Sequence, residues 1–168
     1  MNKIVLFYGS STGTCENLAR DIAEKLNLDS SVVHPVSELN EKIVAAADTL
    51  LLGTSTWGWG DIQDDWADAL PKLKAMSLSG KKIALFGCGD SSSYGDTFCD
   101  GMGILYDELK ESGCTWIGTG VSTDDYQFNS SKAVIDNAFV GLAIDDINQN
   151  DKTEERINSW ITLLKTQI

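Results

Sequence analysis

No apolar run in this 168-residue chain approaches the ~20 residues that a membrane-spanning helix needs. Basic residues are scarce: 13 Lys and Arg stand against 25 Asp and Glu, a net charge of −12. A surface of that sign repels nucleic acid and anionic membranes and attracts basic proteins. Histidine occurs once, at His34, and none of Cys15, Cys88, Cys99 and Cys114 forms a C-x-x-C pair, which argues against a zinc or iron–sulfur site. The four cysteines read as reduced, mostly buried thiols. Repeats, low-complexity tracts and domain linkers are also lacking, so a single domain is expected. Met1-Asn2-Lys3 runs straight into an apolar segment without a signal-peptide pattern, and the expected compartment is the cytoplasm.

What the chain does have is a series of short, nearly continuous apolar runs. Ile4 to Tyr8, Ser31 to His34, Thr49 to Gly53 and Lys82 to Gly87 read as strands, and runs of this kind suit a parallel sheet covered on both faces. Helical spacing follows in Leu18, Ala19, Ile22, Ala23 and Leu26, then over Gln63 to Met76, where Pro71 should kink or split the helix. A further helix is marked by Phe98, Met102, Leu105 and Leu109 and closed by Gly113, and residues 152 to 165 form the last, with Asp151 as its cap. This alternation predicts an α/β fold, a doubly wound parallel sheet with helices on both faces. About twenty polar residues separate Cys114–Gly118 from Phe139–Ile144, an apparent insertion at about 120–138 that splits the fifth strand.

Doubly wound sheets bind ligands at the carboxyl ends of their strands, beside the reversal in strand order. Three loops are expected there. Loop one, Gly9 to Cys15, lies between a strand and a helix start, where free N–H groups and the helix dipole favour an anion. No lysine follows Gly13, so it is not a triphosphate loop, and Gly9 and Gly13 are too few for a dinucleotide fingerprint. The acidic residues of a phosphoacceptor domain are missing as well. A terminal monophosphate held by N–H groups and hydroxyls remains. Loop two, "GTSTWGWGD" at 53–61, offers Trp57 and Trp59 as flat apolar walls, or as indoles packed against the body. Loop three, "GCGDSSSYGDTFCD" at 87–100, offers Tyr94 as an opposite wall. A phosphorylated planar ring such as FMN suits that combination.

These residues resemble the flavodoxins, specifically the long-chain type, over essentially the whole chain. The resemblance is carried by "GSSTGT" at 9–14, "TSTWGWGD" at 54–61, "LFGCGDSSSYGDTFCD" at 85–100, "FVGLAID" at 139–145 and the segment containing "YQFNSSKA" at 126–133. It implies a five-stranded parallel sheet of order 2-1-3-4-5, one non-covalent FMN and low-potential one-electron transfer without catalytic residues. It further implies that Ser10, Ser11, Thr12, Gly13, Thr14 and Cys15 hold the phosphate, and that Trp57 and Tyr94 sandwich the ring. Thr56, Gly58, Trp59 and Gly60 of loop two would adjoin the ring, and Cys88, Gly89, Asp90, Asp96, Thr97 and Phe98 would line its pyrimidine edge. Asp146 is a weaker transfer, toward the ribityl chain. The family usually has threonine where Cys15 stands. A thiol donates weakly, so FMN binding is expected to lose about 0.5–1.5 kcal/mol there, with Cys15 more reactive once FMN is removed.

The resemblance also implies a Gly58–Trp59 peptide that reverses on reduction and accepts the N5 proton of a neutral semiquinone, a turn that glycine tolerates without a Cβ clash. Asp61, Asp64, Asp65, Asp90 and Asp96 would disfavour further negative charge on the ring. The acidic rim Asp61, Asp64, Asp65 and Asp68 would steer basic redox proteins, a flavodoxin or ferredoxin reductase and a downstream acceptor, toward a monomeric carrier. Two alternatives stand beside this reading. An FMN-dependent oxidoreductase of the quinone reductase kind uses the same fold, although a two-sided aromatic sandwich would leave no room for its substrate. A non-flavin binding module is also compatible with the fold.

Overall fold

The computed structural model describes residues 3–57 and 59–168, with the backbone only at Trp57. The first strand, β1 (Ile4–Gly9), leads through loop one into α1 (Thr14–Lys25). Next come β2 (Val33–Pro35), α2 (Glu41–Ala46), β3 (Thr49–Trp57), the short β4 (Asp61–Ile62) and α3 (Asp64–Lys74). Then β5 (Lys82–Cys88) precedes α4 (Asp100–Leu109). The last third holds β6 (Thr115–Trp116), β7 (Val121–Ser122), β8 (Val134–Ile135), β9 (Ala138–Phe139), β10 (Leu142–Ile144) and α5 (Asp146–Lys165).

Parallel pairing orders the main sheet β2-β1-β3-β5-β10. The strand order reverses between β1 and β3, so loops one and two flank a crevice at that point. One edge of β5 pairs with two separate strands, β6 along Lys82 and Ile83 and β10 along Phe86 to Cys88. Between them the chain leaves the sheet and forms a small antiparallel sheet, β7-β9-β8.

The apolar runs are explained by cover on both faces. Val5, Phe7, Leu50, Leu52, Ile83 and Leu85 turn toward Trp66 and Leu73 of α3 and Met102 and Leu105 of α4. Their neighbours in sequence, Leu6, Leu51, Ala84 and Phe86, turn to Leu18 and Ile22 of α1 and to Ile157, Trp160, Ile161 and Leu164 of α5. Alternate side chains of a strand point to opposite faces, so a strand buried on both faces needs no polar alternation.

Several boundaries differ from the sequence expectation. Ser31 and Val32 lie in a 3-10 turn rather than in the second strand, because the Asp29 carboxylate accepts the Ser31 N–H at 2.8 Å and competes with the sheet for that donor. The third strand extends to Trp57, since β4 folds back on it antiparallel. Helix α3 is not split at Pro71. Both Pro71 and Ala67, whose carbonyl loses its intrahelical donor, are exposed, so water can satisfy that carbonyl. Helix α4 starts at Asp100, leaving Phe98 ahead of it. The last helix starts at Asp146, with Asp145 rather than Asp151 at its N-cap, and breaks at Gln149 (φ −133°, ψ 43°).

Candidate functional site

Loop one is built on Gly13, whose φ of +92° sits in the region that glycine enters without a Cβ penalty. Its N–H donates to Ser10 Oγ at 3.0 Å, and its carbonyl accepts from Asn17 N–H at 2.9 Å, starting α1. The N–H groups of Thr14, Cys15 and Glu16 have no carbonyl one turn back within the helix. Ser11, Thr12 and Thr14 are exposed and Ser10 is half-buried. No Lys or Arg lies between Gly9 and Cys15. The arrangement presents helix N–H groups and hydroxyls to an anion without a counter-charge.

Gln63 ties this loop to the next. It is 2 % exposed, donates through Nε2 to Ser11 Oγ and Asp65 Oδ2, both at 3.2 Å, and accepts the Asp65 N–H at 3.0 Å as the cap of α3. Gly9 makes this possible: a Cβ there would lie 2.3 Å from Gln63 Oε1 and 2.5 Å from Trp66 Cδ1.

In loop two, Thr56 Oγ1 accepts the Gly101 N–H at 2.9 Å, fastening β3 to the first turn of α4. Gly60 has φ +95°, and a Cβ on it would approach Asp100 Oδ2 to 2.7 Å. The Trp57 side chain and Gly58 lie outside the described residues. Trp59 is not packed against the body. It is 85 % exposed and meets Tyr94, itself 41 % exposed, edge to face with centroids 6.4 Å apart. Two aromatic rings from loops two and three thus stand together at the surface.

Loop three is held along its length. Gly89 N–H donates to Ile144 O at 3.0 Å, and Tyr94 N–H donates to Asp90 O at 2.9 Å. The Asp90 carboxylate accepts N–H groups from Ser92 and Ser93, each at 3.1 Å, and the Asn148 amide at 2.8 Å. Those bonds, with Asn148 the largest cause, hold its carboxyl below the usual carboxylate range. Asp96 Oδ1 accepts from Asn129 Nδ2 at 3.0 Å. Thr97 Oγ1 is buried and has no hydrogen-bond partner, an unmet polar group of the sort that a bound molecule can satisfy. Cys88 is buried at the end of β5.

Two expected contacts are corrected here. The side chain of Cys15 has 0 % exposure and lies in the core on the α1 face of the sheet, so an incoming phosphate meets only its N–H. Its hydrogen bond with Cys88, followed by burial, pushes the thiol well above the ordinary range. We therefore expect iodoacetamide to label Cys114, the one partly exposed thiol, while Cys15, Cys88 and Cys99 react only on unfolding, with or without flavin. Labelling of Cys15 in the folded apo-protein as fast as Cys114 would contradict this placement. Phe98 is likewise in the core, stacked on Phe128 at 5.3 Å. Its N–H donates to Ser130 O at 3.3 Å and its carbonyl accepts the Ser131 hydroxyl.

Asp146 is exposed in the first turn of α5, where Oδ1 accepts from Thr153 Oγ1 at 2.9 Å. Gln63, Asn129, Asp145 and Asn148 bear on the three loops without having been singled out in the sequence. Gln63 opened an expected helix, Asn129 and Asp145 lay inside segments that carry the resemblance, and Asn148 left no trace. The described residues contain no cluster of three or more His, Cys, Asp or Glu able to hold a metal. They also contain no helix long and apolar enough to cross a membrane.

A family model described as flavodoxin matches residues 6–160. The flavodoxin of Buchnera aphidicola (subsp. Acyrthosiphon pisum) is 41% identical over 162 residues, 96% of this chain and 94% of the relative. Flavodoxin 1 of Escherichia coli K12 is 39% identical over 164 residues, 97% of this chain and 93% of the relative. In three dimensions, the crystal structure of Fusobacterium nucleatum flavodoxin bound to flavin mononucleotide superposes with a TM-score of 0.91 at 30% identity, covering 100% of this chain and 99% of that one. With the strand order, the three loops at its reversal and these likenesses in agreement, the chain belongs to the flavodoxin family.

Proposed function

We propose that this protein carries electrons singly between redox partner proteins on one non-covalently bound FMN, and is not itself an enzyme. The observation that carries the reading is the meeting of three loops at the sheet's strand reversal: a cation-free anion loop, and two loops that present aromatic rings beside it. The unmet Thr97 hydroxyl and the open N–H groups of loop one are groups that a phosphorylated flavin could satisfy. FMN supplies the redox chemistry, since its ring takes up and releases electrons one at a time. The protein's own residues bind and orient it and exclude water.

In this reading the N–H groups of Thr14 and Cys15 and the hydroxyls of Ser10, Ser11, Thr12 and Thr14 hold the phosphate, in a loop shaped by Gly13. Tyr94 covers one side of the ring and Trp57 the other, with Thr56, Gly58, Trp59 and Gly60 around it. Cys88, Gly89, Asp90, Asp96 and Thr97 line the pyrimidine edge. Asp90, held ionised, places fixed negative charge there and disfavours more. Asp61, Asp64, Asp65 and Asp68 are all exposed along the start of α3. Asp64 and Asp65 complement that helix's dipole, and the whole rim attracts basic partners of the reductase type and a downstream acceptor. We read residues 1–168 as one flavodoxin-like domain in which 120–138 is an insertion, because β6 and β10 share an edge of β5. A monomer in a reducing cytoplasm suits its free cysteines.

The test is an absorption spectrum during stepwise dithionite reduction, with a parallel sample given NADPH alone. A yellow protein that develops a long-wavelength blue band and then pales, and that NADPH leaves yellow, is the expected result. Direct bleaching by NADPH would indicate a reductase. A protein that stays colourless with added FMN would overturn the assignment.

A further inference from the structure

Loop three is tied to the head of α5 by two side chains, the Ser91 hydroxyl, which donates to Asp145, and the Asn148 amide, which alone reaches Asp90. The first turn of that helix, Asp146 to Asn148, is set apart by the break at Gln149, whose Nε2 donates to Asp125 O at 2.9 Å. Within that turn the two N–H bonds of the Asn148 carboxamide go to two carboxylates. One goes to Asp90 Oδ1 at 2.8 Å and the other to Asp145 Oδ1 at 2.9 Å. Asp145 is 1 % exposed and also accepts the Ser91 hydroxyl. Asp90 in turn organises the stretch that follows it, accepting the N–H groups of Ser92 and Ser93 with its side chain and that of Tyr94 with its carbonyl. A continuous path therefore leads from Asn148 through Asp90 to the Tyr94 backbone. A donor is required at its origin, because an acceptor there would leave the two carboxylates to repel.

We propose that Asn148 is a positioning residue: its amide bridges Asp90 to Asp145 and so holds loop three, with Tyr94, in the arrangement that receives the flavin ring. This rests on the FMN reading above, which assigns Tyr94 and Asp90 to the ring. Asn148 is itself exposed on its outer side, so replacing it opens no cavity and its effect passes through the two carboxylates.

Three variants test the assignment, each in the full chain. In Asn148→Ala, amide hydrogen exchange of the apo-protein at Ser92, Ser93 and Tyr94 is expected to quicken about tenfold, and the Kd for FMN to rise five- to tenfold, the effect of losing charge-assisted hydrogen bonds. Asn148→Asp, which sets a third carboxylate against the first two, is expected to exceed both changes. Asn148→Gln keeps the two donors and should return part of each. The affinity of loop one for inorganic phosphate and the near-ultraviolet circular dichroism of the apo-protein should stay at wild-type values, which a general loss of structure would not allow. Wild-type exchange at 92–94 in Asn148→Ala would overturn the tether. Faster exchange with an unchanged Kd would overturn its role in flavin binding. If the wild-type protein takes up no FMN, the functional reading fails, and the exchange rates still decide whether Asn148 holds the loop.

Discussion

Replacing Thr12 with aspartate is expected to raise the Kd for FMN at least a hundredfold while leaving the protein folded. Thr12 is exposed at the tip of loop one, so the new side chain displaces nothing from the core. The loop has no Lys or Arg between Gly9 and Cys15 to offset an added charge. A carboxylate ~5 Å from a phosphate charge costs roughly 3 kcal/mol at an effective dielectric of ~20, more for a dianion and less with salt. At low salt, with the phosphate a dianion, the cost exceeds the ~2.7 kcal/mol that corresponds to a hundredfold change. Fluorescence quenching titrations of FMN measure it. Thr12→Asn, which is neutral, should stay within about threefold of wild type. Riboflavin, which lacks the phosphate, should bind both variants alike. An aspartate variant that binds FMN as the wild type does would remove loop one from the phosphate site.

Trp66→Ala should cost about 3–5 kcal/mol of folding stability, the range for deleting a buried indole. Trp66 is completely buried between α3 and the sheet. Its Nε1–H donates to Gly53 O at 2.7 Å, a buried hydrogen bond that the truncation removes. Domains are stable by only ~5–15 kcal/mol in all, so a large part of the margin disappears. Trp66→Phe separates the two causes: it keeps most of the packing and should lose about 0.5–1.5 kcal/mol for the missing hydrogen bond. Urea unfolding checks both values. A phenylalanine variant as stable as wild type would mean that the hydrogen bond contributes nothing. The indole also lies under Gly9, the last residue of β1, so the phenylalanine variant should bind FMN more weakly even where it remains folded.

The elements were legible where one physical signal dominated. Runs such as Leu50-Leu51-Leu52 identify strands covered on both faces, and Leu18 to Leu26 an amphipathic helix, because burial imposes the spacing. Boundaries were lost where a single hydrogen bond decides. Asp29 takes the Ser31 N–H and turns an expected strand residue into a 3-10 turn. The same limit applies to the site. Loop one follows from glycine, hydroxyls and a helix start. Whether residue 15 offers a side chain or only an N–H depends on the facing of α1, and the helix buries the thiol beside Cys88. Trp59, equally plausible as a packed indole, stands in solvent against Tyr94.

The sequence by itself determined the class of fold, the three loops and the acidic surface, since each arises from local pattern or summed composition. Tertiary structure alone decided what joins those loops. Gln63 reaches back 52 positions to Ser11, and Asn148 reaches back 58 to Asp90. Contacts at that separation depend on where the sheet sets each strand end, and no periodicity within a segment encodes which polar side chain will find a partner there.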